Sequence, residues 1–426
     1  MIKSPAFAGK RYAVLGLARS GLAAVEALLA SGALVTAWDG KDEARAKVTG
    51  EVTFADPVEI DLTGYAGVVV SPGVPLNKHP IASHAARFGV PVMSDIELFA
   101  QARPSLPPHK VVGITGTNGK STTTALITHI VETAGVPTLM GGNIGLPILG
   151  RDPLPAGGVY VLELSSYQID ITRSLDCDVA VLTNITPDHL DRYDGFAGYA
   201  ASKERLFTMQ SPDRTAIIAV EDAPSAAIAS RRPGVLAVRS TEVSNQQAWP
   251  ALQGPHNAQN AVIAIAACRA LGIAEDAIQR GLASYPGLPH RMQRVAEKAG
   301  VLFVNDSKAT NATATAPALG AYPKIHWILG GLPKTDDLDD CAPYFDHVVA
   351  AYTIGQAGPM FARILREVGK PVTESETLER AVADAAAAAG PGEVVMLSPA
   401  CASFDQFSDY EARGDAFRRA VEGLSL

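Results

Sequence analysis

One stretch of this chain limits its fold more than any other: the run TGTNGKST at Thr115–Thr122. An apolar segment before it, Val111–Ile114, predicts a buried strand, and Thr123–Val131 after it predicts a helix. A strand, a glycine-rich turn, a Lys-Ser pair and a helix make a P-loop, in which backbone N–H groups surround phosphate oxygens. The strict spacing has a glycine where this chain has Ile114, so the run predicts a variant P-loop.

The P-loop chemistry assigns roles to particular side chains. Lys120 would reach the terminal phosphates of a bound nucleotide, and Ser121 would hold Mg²⁺. Glu163 lies at the carboxyl end of the predicted strand Val159–Leu164, and an acid at such a strand end beside a P-loop is where Mg²⁺ is held. The alternatives are a turn that binds no nucleotide and a solvated strand-end carboxylate. The predicted nucleotide contacts in this run, which the resemblance described below assigns to ATP, are Gly116, Thr117, Asn118, Gly119, Lys120, Ser121 and Thr122.

Length and composition exclude several classes of protein. A chain of 426 residues is too long for one ordinary core and predicts two or three domains. A net charge of −8 argues against a nucleic-acid partner. The four cysteines are scattered without a CxxC pair, so we expect neither disulfides nor a zinc site, and a reducing cytoplasm fits. The sequence predicts no signal peptide and no membrane insertion.

Short apolar strands alternate with alanine-rich helical segments along the whole chain, which predicts an α/β fold with parallel sheets. Two proline-rich stretches, Arg103–Pro108 and Tyr285–Pro289, divide it into three blocks. We therefore predict three domains. They are a Rossmann-like N-terminal domain (1–105), a central P-loop mononucleotide-binding domain (106–289) and a Rossmann-like C-terminal domain (290–426).

The first block has one predicted ligand site, the turn Gly16–Gly21 between a strand and a helix. Such turns often bind a phosphate or a dinucleotide. The turn is not G-x-G-x-x-G, which argues against a nicotinamide cofactor, and a plain βα turn is an equal alternative. Asp39 ends the second strand and is either a ribose or base ligand or an ordinary loop residue.

The second block has a polar run, Asn184–Arg192, after the predicted strand Val179–Leu182. Its clustered Asn, Asp, His and Arg residues suit a metal and phosphate site, in which His189 would offer a neutral nitrogen to a divalent cation. The local pattern around Lys203 is that of a solvated helix lysine. Asn257 is predicted to cap the apolar helix Ala258–Leu271.

Three polar clusters follow strands of the third block: Asn305–Asn311, Gly330–Asp337 and Leu397–Phe407. The carboxyl ends of parallel strands are the usual ligand position in an α/β sheet, so we expect an anion site there. Lys308 and Lys334 would supply its positive charge. Cys401 lies in the last cluster, but without a nearby His it is predicted to pack rather than react.

These motifs, in this order, resemble the Mur ligases of peptidoglycan synthesis. The resemblance spans nearly the whole chain, and the clusters Asn305–Asn311 and Leu397–Phe407 resemble the branch of the family that adds D-glutamate. The P-loop and the Asn-rich segments are shared with sister ligases and folylpolyglutamate synthases. The motifs that carry the resemblance are Thr115–Thr122, Gly142–Gly145, Glu163–Gln168, Asn184–Arg192, His256–Asn257, His290–Arg291, Asn305–Asn311 and Leu397–Phe407.

The resemblance implies an ATP-dependent ligase that forms a carbon–nitrogen bond. It would phosphorylate the alanine carboxylate of UDP-N-acetylmuramoyl-L-alanine and then let D-glutamate attack the acyl phosphate. It also implies a cytoplasmic monomer that uses ATP and two Mg²⁺ ions and contributes to cell wall biogenesis, cell shape, cell division and the cell cycle.

The resemblance further implies site residues. Lys120, His189, Lys203 and Lys308 would be catalytic, and Lys203 would be carbamylated by CO₂ into a metal-binding group. Ser121, Glu163, His189 and carbamylated Lys203 would hold the metal. The remaining ATP ligands would be Asn257, Asn260, Arg291 and Asp306. The UDP substrate would contact Gly16, Leu17, Ser20, Gly21, Asp39, Asn143 and His189. D-Glutamate would contact Lys308, Thr310, Lys334, Ser403 and Phe404.

Two departures from the family pattern bear on selectivity. Gln293 stands where the family usually has an acid, and the loop Leu332–Asp337 keeps a lysine but lacks the commoner glycine-rich start. Selectivity between D- and L-glutamate therefore stays open. The alternative functions are a sister Mur ligase or folylpolyglutamate-synthase-like ligase with another amino acid, and a P-loop ATPase regulator.

Overall fold

The computed structural model describes residues 1–188 and 191–424. Its contacts divide the chain into two compact units, Met1–Glu242 with Val262–Gly281, and Val243–Ala261 with Leu282–Leu426. The described strands form three sheets, each of which lies within one of the three predicted blocks. The α/β prediction is confirmed, whereas the exact domain boundaries stay a prediction.

The first sheet has the strand order β3-β2-β1-β4-β5, and all its strands are parallel. The direction of the strand order reverses between β1 and β4, which is where open α/β sheets bind ligands. Its strands are β1 (Arg11–Leu15), β2 (Leu34–Trp38), β3 (Thr53–Phe54), β4 (Tyr65–Val70) and β5 (Val92–Met93). Its helices are α1 (Arg19–Ala30), α2 (Asp42–Arg45), α3 (Ile81–Arg87) and α4 (Asp95–Ala102).

The central sheet is also parallel, with the order β11-β10-β9-β6-β8-β7. The strand before the P-loop, β6, lies between β8 and β9, and near-continuous apolar strands fit a sheet that is buried on both faces. The strands are β6 (His109–Thr115), β7 (Thr138–Gly142), β8 (Gly158–Glu163), β9 (Val179–Leu182), β10 (Thr215–Ala219) and β11 (Leu236–Val238). The helices are α5 (Lys120–Thr133), α6 (Ser166–Asp170), α7 (Gly195–Thr208), α8 (Ala223–Arg231), α9 (Pro255–Leu271) and α10 (Glu275–Ser284).

The third sheet has the order β12-β13-β17-β14-β15-β16, in which only the edge strand β12 is antiparallel among the described strands. Its strands are β12 (Gln293–Lys298), β13 (Val301–Asn305), β14 (Ile325–Gly330), β15 (Val348–Ile354), β16 (Val372–Glu376) and β17 (Val394–Leu397). Its helices are α11 (Ala312–Leu319), α12 (Gly358–Glu367), α13 (Leu378–Ala388) and α14 (Tyr410–Glu422). Shorter 3₁₀ turns span Pro5–Phe7, Arg103–Ser105, Ile148–Gly150, Ser240–Glu242, Gln246–Ala248 and Asp339–His347.

The first and central sheets share one hydrophobic core. The rings of Phe99 and Tyr160, from α4 and β8, meet edge to face at 5.0 Å between centroids. The buried Glu97 carboxylate accepts hydrogen bonds from the backbone N–H groups of Arg173 and Ser174, at 2.6 and 3.0 Å. The predicted linker Arg103–Pro108 is also held to the central block, because the Arg103 guanidinium pairs with the Asp178 carboxylate at 3.4 Å. These contacts fix the first sheet against the central one.

Candidate active site

Small-molecule sites are typically cavities of about 300 to 1,000 Å³. The first compact unit has a cavity of ≈ 560 Å³ beyond β1 and β4. It brings together Gly16, Ser20, Asp39 and Asn143 from the predicted UDP-substrate set. Ser71 closes its floor by donating from Oγ to the Gly16 carbonyl at 2.7 Å. The cavity therefore lies at the point where the strand order reverses.

Two residues of the predicted substrate set do not line this cavity. Leu17 is buried, and its backbone N–H donates to the Asp39 carboxylate at 2.8 Å. A Cβ at position 21 would lie 1.8 Å from the Gly16 carbonyl oxygen, so Gly21 is needed for the close approach of α1 to the turn. Leu17 and Gly21 shape the turn rather than present side chains to a ligand.

Sequence reasoning missed several residues around the same cavity. Arg19 and Lys41 line it and supply the positive charge that a diphosphate requires, and Gln168 lines it from the central block. Burial raises the pKa of the Asp39 carboxyl, but hydrogen bonds from the Leu17 and Lys41 N–H groups outweigh it and lower that pKa below its ordinary value. Asp39 is therefore an ionised acceptor at the cavity wall. Arg19 and Gln168 lie inside the motifs Gly16–Gly21 and Glu163–Gln168 and could have been included from them. Lys41 is an exposed basic residue outside any motif, so no sequence signal would have identified it.

The P-loop has the backbone that its glycines predicted. Gly116 and Gly119 have positive φ of +146° and +80°, and Gly119 is the N-cap of α5. A Cβ on Gly116 would lie 1.9 Å from the Thr183 Oγ1 atom, so only glycine fits there. The Thr117 and Asn118 N–H groups donate to the Asn184 backbone and side-chain oxygens at 2.8 and 2.9 Å. Phosphate contact at these two positions requires those N–H groups to exchange partners.

Two lysines converge on the P-loop carbonyls. Lys120 Nζ donates to the Gly116 and Thr117 carbonyls at 2.9 and 2.8 Å, and Lys203 Nζ donates to the same Gly116 carbonyl at 2.7 Å. Lys203 is only 2% exposed, so the local interpretation of a solvated lysine was wrong. The cause is the fold of α7, which packs this face of the helix against the loop.

The surroundings of Lys203 favour its uncharged form. Burial, followed by the charge of Lys120, lowers the Lys203 pKa to about 6. Its Nζ atom also lies 4.5 Å from the centroid of the Tyr199 ring. An uncharged primary amine at neutral pH is a nucleophile rather than a simple counter-ion.

The Glu163 carboxylate lies next to the start of the P-loop, because its residue pairs in register with Ile114 across β6 and β8. It is 2% exposed, and its Oε1 atom accepts from Asn143 Nδ2 at 2.9 Å. Its Oε2 atom is buried with no hydrogen-bond partner in the described part of the chain. A buried carboxylate oxygen without a partner is costly, and a divalent cation would satisfy it.

The predicted metal site is only partly described. Ser121 is buried in the first turn of α5, whereas His189 lies outside the described residues. Within residues 1–188 and 191–424, no group of three or more His, Cys, Asp or Glu side chains is placed to hold a metal ion. Ser121, Glu163 and Lys203 therefore fit a cation only if Lys203 becomes an oxygen ligand or if substrate and water supply the remaining ligands.

Asn257 and Asn260 form a pair inside α9. Asn260 Nδ2 donates to Asn257 Oδ1 at 3.1 Å, and Asn257 Nδ2 donates to the Gln253 carbonyl at 3.0 Å. The helix begins at Pro255, so the prediction that Asn257 caps it was wrong, because the helix starts two residues earlier. Both side chains are buried, and their role toward ATP stays a prediction.

The three polar clusters of the third block meet at one edge of the third sheet, because β13, β17 and β14 are neighbours. Lys334 Nζ donates to Thr310 Oγ1 at 3.1 Å, which joins two predicted D-glutamate ligands from different clusters. Lys308 Nζ lies 3.8 Å from the centroid of the Tyr410 ring. The other two predicted D-glutamate ligands lie in the cluster Leu397–Phe407, where Ser403 is buried and Phe404 is 69% exposed.

Asp306, a predicted ATP ligand, is buried at the end of β13. Its carboxylate accepts from the Met292 N–H at 3.1 Å and from Ser398 Oγ at 2.8 Å. Burial raises its pKa to about 7 despite these bonds. Gln293, the departure from the family pattern, accepts from the His290 N–H at 3.0 Å, so an amide serves as a local acceptor there. Arg291 follows in the same turn.

The prediction that Cys401 packs rather than reacts is confirmed by its burial. Cys177, Cys268, Cys341 and Cys401 are free and buried. Burial raises the pKa of the Cys401 thiol to about 12, so it stays protonated and unreactive. No helix in the described part of the chain is long and apolar enough to cross a membrane.

Comparison with known proteins identifies the family. The Mur ligase middle domain matches residues 114–250, and the Mur ligase glutamate ligase domain matches residues 290–401. The chain is 68% identical to the UDP-N-acetylmuramoylalanine–D-glutamate ligase of Novosphingobium aromaticivorans, over 100% of this chain and 97% of that protein. The chain belongs to the Mur ligase family. As a Mur ligase it is an ATP-dependent enzyme that forms a carbon–nitrogen bond.

More distant relatives of this Mur ligase carry the same enzyme name. The proteins of Zymomonas mobilis and Rhizobium meliloti are 60% and 46% identical, each over the full length of both chains. Among solved structures, MurF from Acinetobacter baumannii has a TM-score of 0.60 at 18% identity, covering 98% of this chain and 92% of that one. UDP-N-acetylmuramate-alanine ligase MurC from Thermotoga maritima has a TM-score of 0.58 at 16% identity, covering 97% and 99%. These structures show that the fold is that of a Mur ligase.

Proposed function

We propose that this Mur ligase joins D-glutamate to UDP-N-acetylmuramoyl-L-alanine, with ATP as the source of free energy. The observation that supports it most is the identity of 46% to 68% over the full chain to ligases named for this reaction. The cytoplasmic location and the roles in peptidoglycan synthesis, cell shape and cell division follow from the same proposal.

The cavity beyond β1 and β4 would hold the UDP part of the substrate. Gly16 and Ser20 lie where the diphosphate is expected, with Arg19 and Lys41 to neutralise it. The ionised Asp39 carboxylate would accept from a hydroxyl or a base N–H of the uridine. Asn143 would face the muramoyl end, since it lines the same cavity and also donates to Glu163.

ATP would bind at the P-loop, where Lys120 would leave the loop carbonyls for the terminal phosphates. Ser121, Glu163 and Lys203, with His189, would hold Mg²⁺, which neutralises phosphate charge during transfer. The substrate carboxylate would attack the γ-phosphorus, and ADP would leave. A free carboxylate is a poor electrophile, so this step supplies the phosphate leaving group.

We propose that Lys203 is carbamylated. Its uncharged Nζ would attack CO₂ and release a proton, so a buried amine would become a carbamate with two oxygen ligands. This change would also reverse its electrostatic relation to Lys120, from repulsion to attraction. Carbamylation would supply the oxygen ligand that the described residues near Glu163 lack.

D-Glutamate would bind at the carboxyl ends of β13, β17 and β14. Its two carboxylates require cationic and hydroxyl partners, which Lys308, Lys334, Thr310 and Ser403 supply. The uncharged amine would attack the acyl carbon of the acyl phosphate, and inorganic phosphate would leave as the amide forms. Phe404 would cover the site, since its ring is exposed at the end of the same cluster.

The test is phosphate release from ATP and Mg²⁺ with UDP-N-acetylmuramoyl-L-alanine and with D-glutamate, L-glutamate or no amino acid. The proposal predicts release that requires both the nucleotide sugar and D-glutamate. Release with another amino acid alone would instead identify a sister ligase. Release that ignores the amino acid would leave a P-loop ATPase regulator and refute the proposal.

A further inference from the structure

One buried cation near the third sheet has no role in the mechanism above: Arg413, in the first turn of α14. It is 1% exposed and is among the largest fully buried side chains of the described residues. Within the described part of the chain, its printed polar partners are Ser307, Cys401 and Ala402, and none of them is a carboxylate. A buried, unpaired charge is costly to a fold, so its retention calls for a compensating role.

Among the described residues, the Arg413 guanidinium donates to four oxygens of the strand-end clusters. Its Nε and Nη2 atoms donate to Ser307 Oγ and the Ser307 carbonyl at 3.0 and 2.9 Å. Its Nη1 and Nη2 atoms donate to the Ala402 and Cys401 carbonyls at 3.2 and 3.0 Å. The single guanidinium group therefore joins the loop after β13 to the loop after β17.

The third cluster is tied to the same group. The Ala402 carbonyl that accepts from Arg413 also accepts from the Leu332 N–H at 2.9 Å. A Cβ on Gly331 would lie 2.3 Å from that carbonyl oxygen and 3.1 Å from Arg413 Nη1, so the loop after β14 packs directly on the pair. All three loops with predicted D-glutamate ligands are thus fixed around one guanidinium.

The direction of these bonds also matters for an anion. The Cys401 and Ala402 carbonyls point toward Arg413, and a planar trans peptide directs the following N–H group the opposite way. The Ser403 N–H, which follows the Ala402 carbonyl in the same peptide plane, is thereby directed away from the guanidinium. Carbonyl oxygens that would repel a carboxylate are instead held inward by the cation.

We propose that Arg413 is the positioning residue of the dicarboxylate site. Its guanidinium holds the three loops in the arrangement in which Lys308, Lys334 and Ser403 meet the incoming amino acid, and it places an unpaired positive charge beneath them. This inference rests on the proposed function, because the ligand it serves is D-glutamate. Arg413 acts through the loops and does not contact the ligand.

The kinetic test compares Arg413→Lys and Arg413→Met with Arg419→Met, an exposed arginine on the same helix. Lysine keeps the charge but cannot span both loops, so the KM for D-glutamate should rise about tenfold or more, because small displacements of binding groups are costly. The KM for ATP should stay within about twofold, since the P-loop is untouched and the predicted ATP ligand Asp306 is held by Met292 and Ser398 rather than by Arg413. Arg419→Met should behave as the wild type.

A second measurement does not depend on catalysis. Amide hydrogen exchange of Arg413→Lys should accelerate in residues 305–311, 330–337 and 398–407 and stay unchanged in the central sheet. If the Arg413 variants do not fold, Ser307→Ala removes one acceptor and should give a smaller change of the same kind.

The outcomes separate the two proposals. A wild type without D-glutamate-dependent turnover would refute the proposed function, and the exchange data would still decide whether Arg413 holds the loops. Folded Arg413→Lys with an unchanged KM for D-glutamate, or with unchanged exchange in the three loops, would overturn the positioning role. An equal rise in the KM for ATP and for D-glutamate would indicate general destabilisation and would overturn it as well.

Discussion

Charged side chains are buried at the strand ends of both the central sheet and the third sheet, but they differ in how their hydrogen-bonding groups are satisfied. At the central sheet, Glu163 keeps an oxygen without a described partner, and the pKa of Lys203 is lowered by burial and by Lys120. At the third sheet, the buried charge of Arg413 is satisfied by four hydrogen bonds to loop oxygens. The Glu163 carboxylate at the central sheet still needs a ligand for its second oxygen, whereas the hydrogen bonds of Arg413 at the third sheet are formed within the protein.

The difference indicates a division of labour. Groups with perturbed pKa values and unsatisfied oxygens suit the phosphoryl-transfer step, in which metal and phosphate complete the site. A rigid, cation-rich cluster suits recognition of a dicarboxylate, since little reorganisation is then needed on binding. Substitutions at the central sheet should therefore reduce kcat, and those at the third sheet should raise the KM for the amino acid.

The largest effect is expected for Glu163→Gln. The amide is nearly the same size but cannot neutralise a divalent cation, so turnover should fall by about 10³-fold. Phosphate release at saturating substrates measures it, with Glu132→Gln at the exposed end of α5 as the matched control. Activity of Glu163→Gln within tenfold of the wild type would remove Glu163 from the metal site.

Lys203 provides the next test. Lys203→Arg keeps a positive charge but cannot be carbamylated, so it should lose about 10²-fold or more in kcat, as should Lys203→Met. Depletion of CO₂ should slow the wild type, and added bicarbonate should restore it. The exposed Lys47→Met variant is the control. A fully active Lys203→Arg enzyme would show that the ammonium, and not a carbamate, is the working form.

Lys334→Ala should mark the third sheet as the amino-acid site. Loss of one charge-assisted hydrogen bond should raise the KM for D-glutamate about tenfold, with kcat and the KM for ATP little changed. Lys324→Ala is a matched control, because Lys324 precedes β14 whereas Lys334 follows it. Equal effects of the two substitutions would mean that general charge, and not the strand-end site, binds the amino acid.

The smallest effect is a pH dependence of stability at Asp306. Its pKa of about 7 in the fold exceeds the ordinary 3.8, so the unfolded chain loses its proton first as pH rises. Asp306→Asn should therefore gain stability relative to the wild type between pH 4 and 7, with a slope on the order of 1 kcal/mol per pH unit. Urea unfolding of both proteins at pH 5 and 7 tests the sign of this change in their free energies of unfolding. If the difference between the two proteins is the same at both pH values, Asp306 is ionised in the folded protein.

Much of this architecture could be predicted from local sequence. The apolar runs before Gly16, Thr115 and Asp306 gave strands, and glycines in the P-loop gave its positive φ angles, because both signals are local. Neighbouring strand-end clusters could be anticipated for the same reason.

The rest depends on tertiary packing. The burial of Lys203 arises because α7 packs on the P-loop, and its helical surroundings carry no sign of it. Arg413 stands about a hundred residues from Ser307 in the chain, so only the fold reveals their contact. Thr117 and Asn118 were predicted from the motif, but their N–H groups are held by Asn184, which no pattern of the loop shows.

The most direct test of the division of labour follows one oxygen atom. The carboxylate of UDP-N-acetylmuramoyl-L-alanine is labelled with ¹⁸O, and the phosphate released in the presence of ATP, Mg²⁺ and D-glutamate is analysed by mass spectrometry. If the central sheet activates that carboxylate as an acyl phosphate, each released phosphate carries one substrate oxygen. Phosphate that carries no label would contradict this account, because the γ-phosphoryl group would then have passed to water.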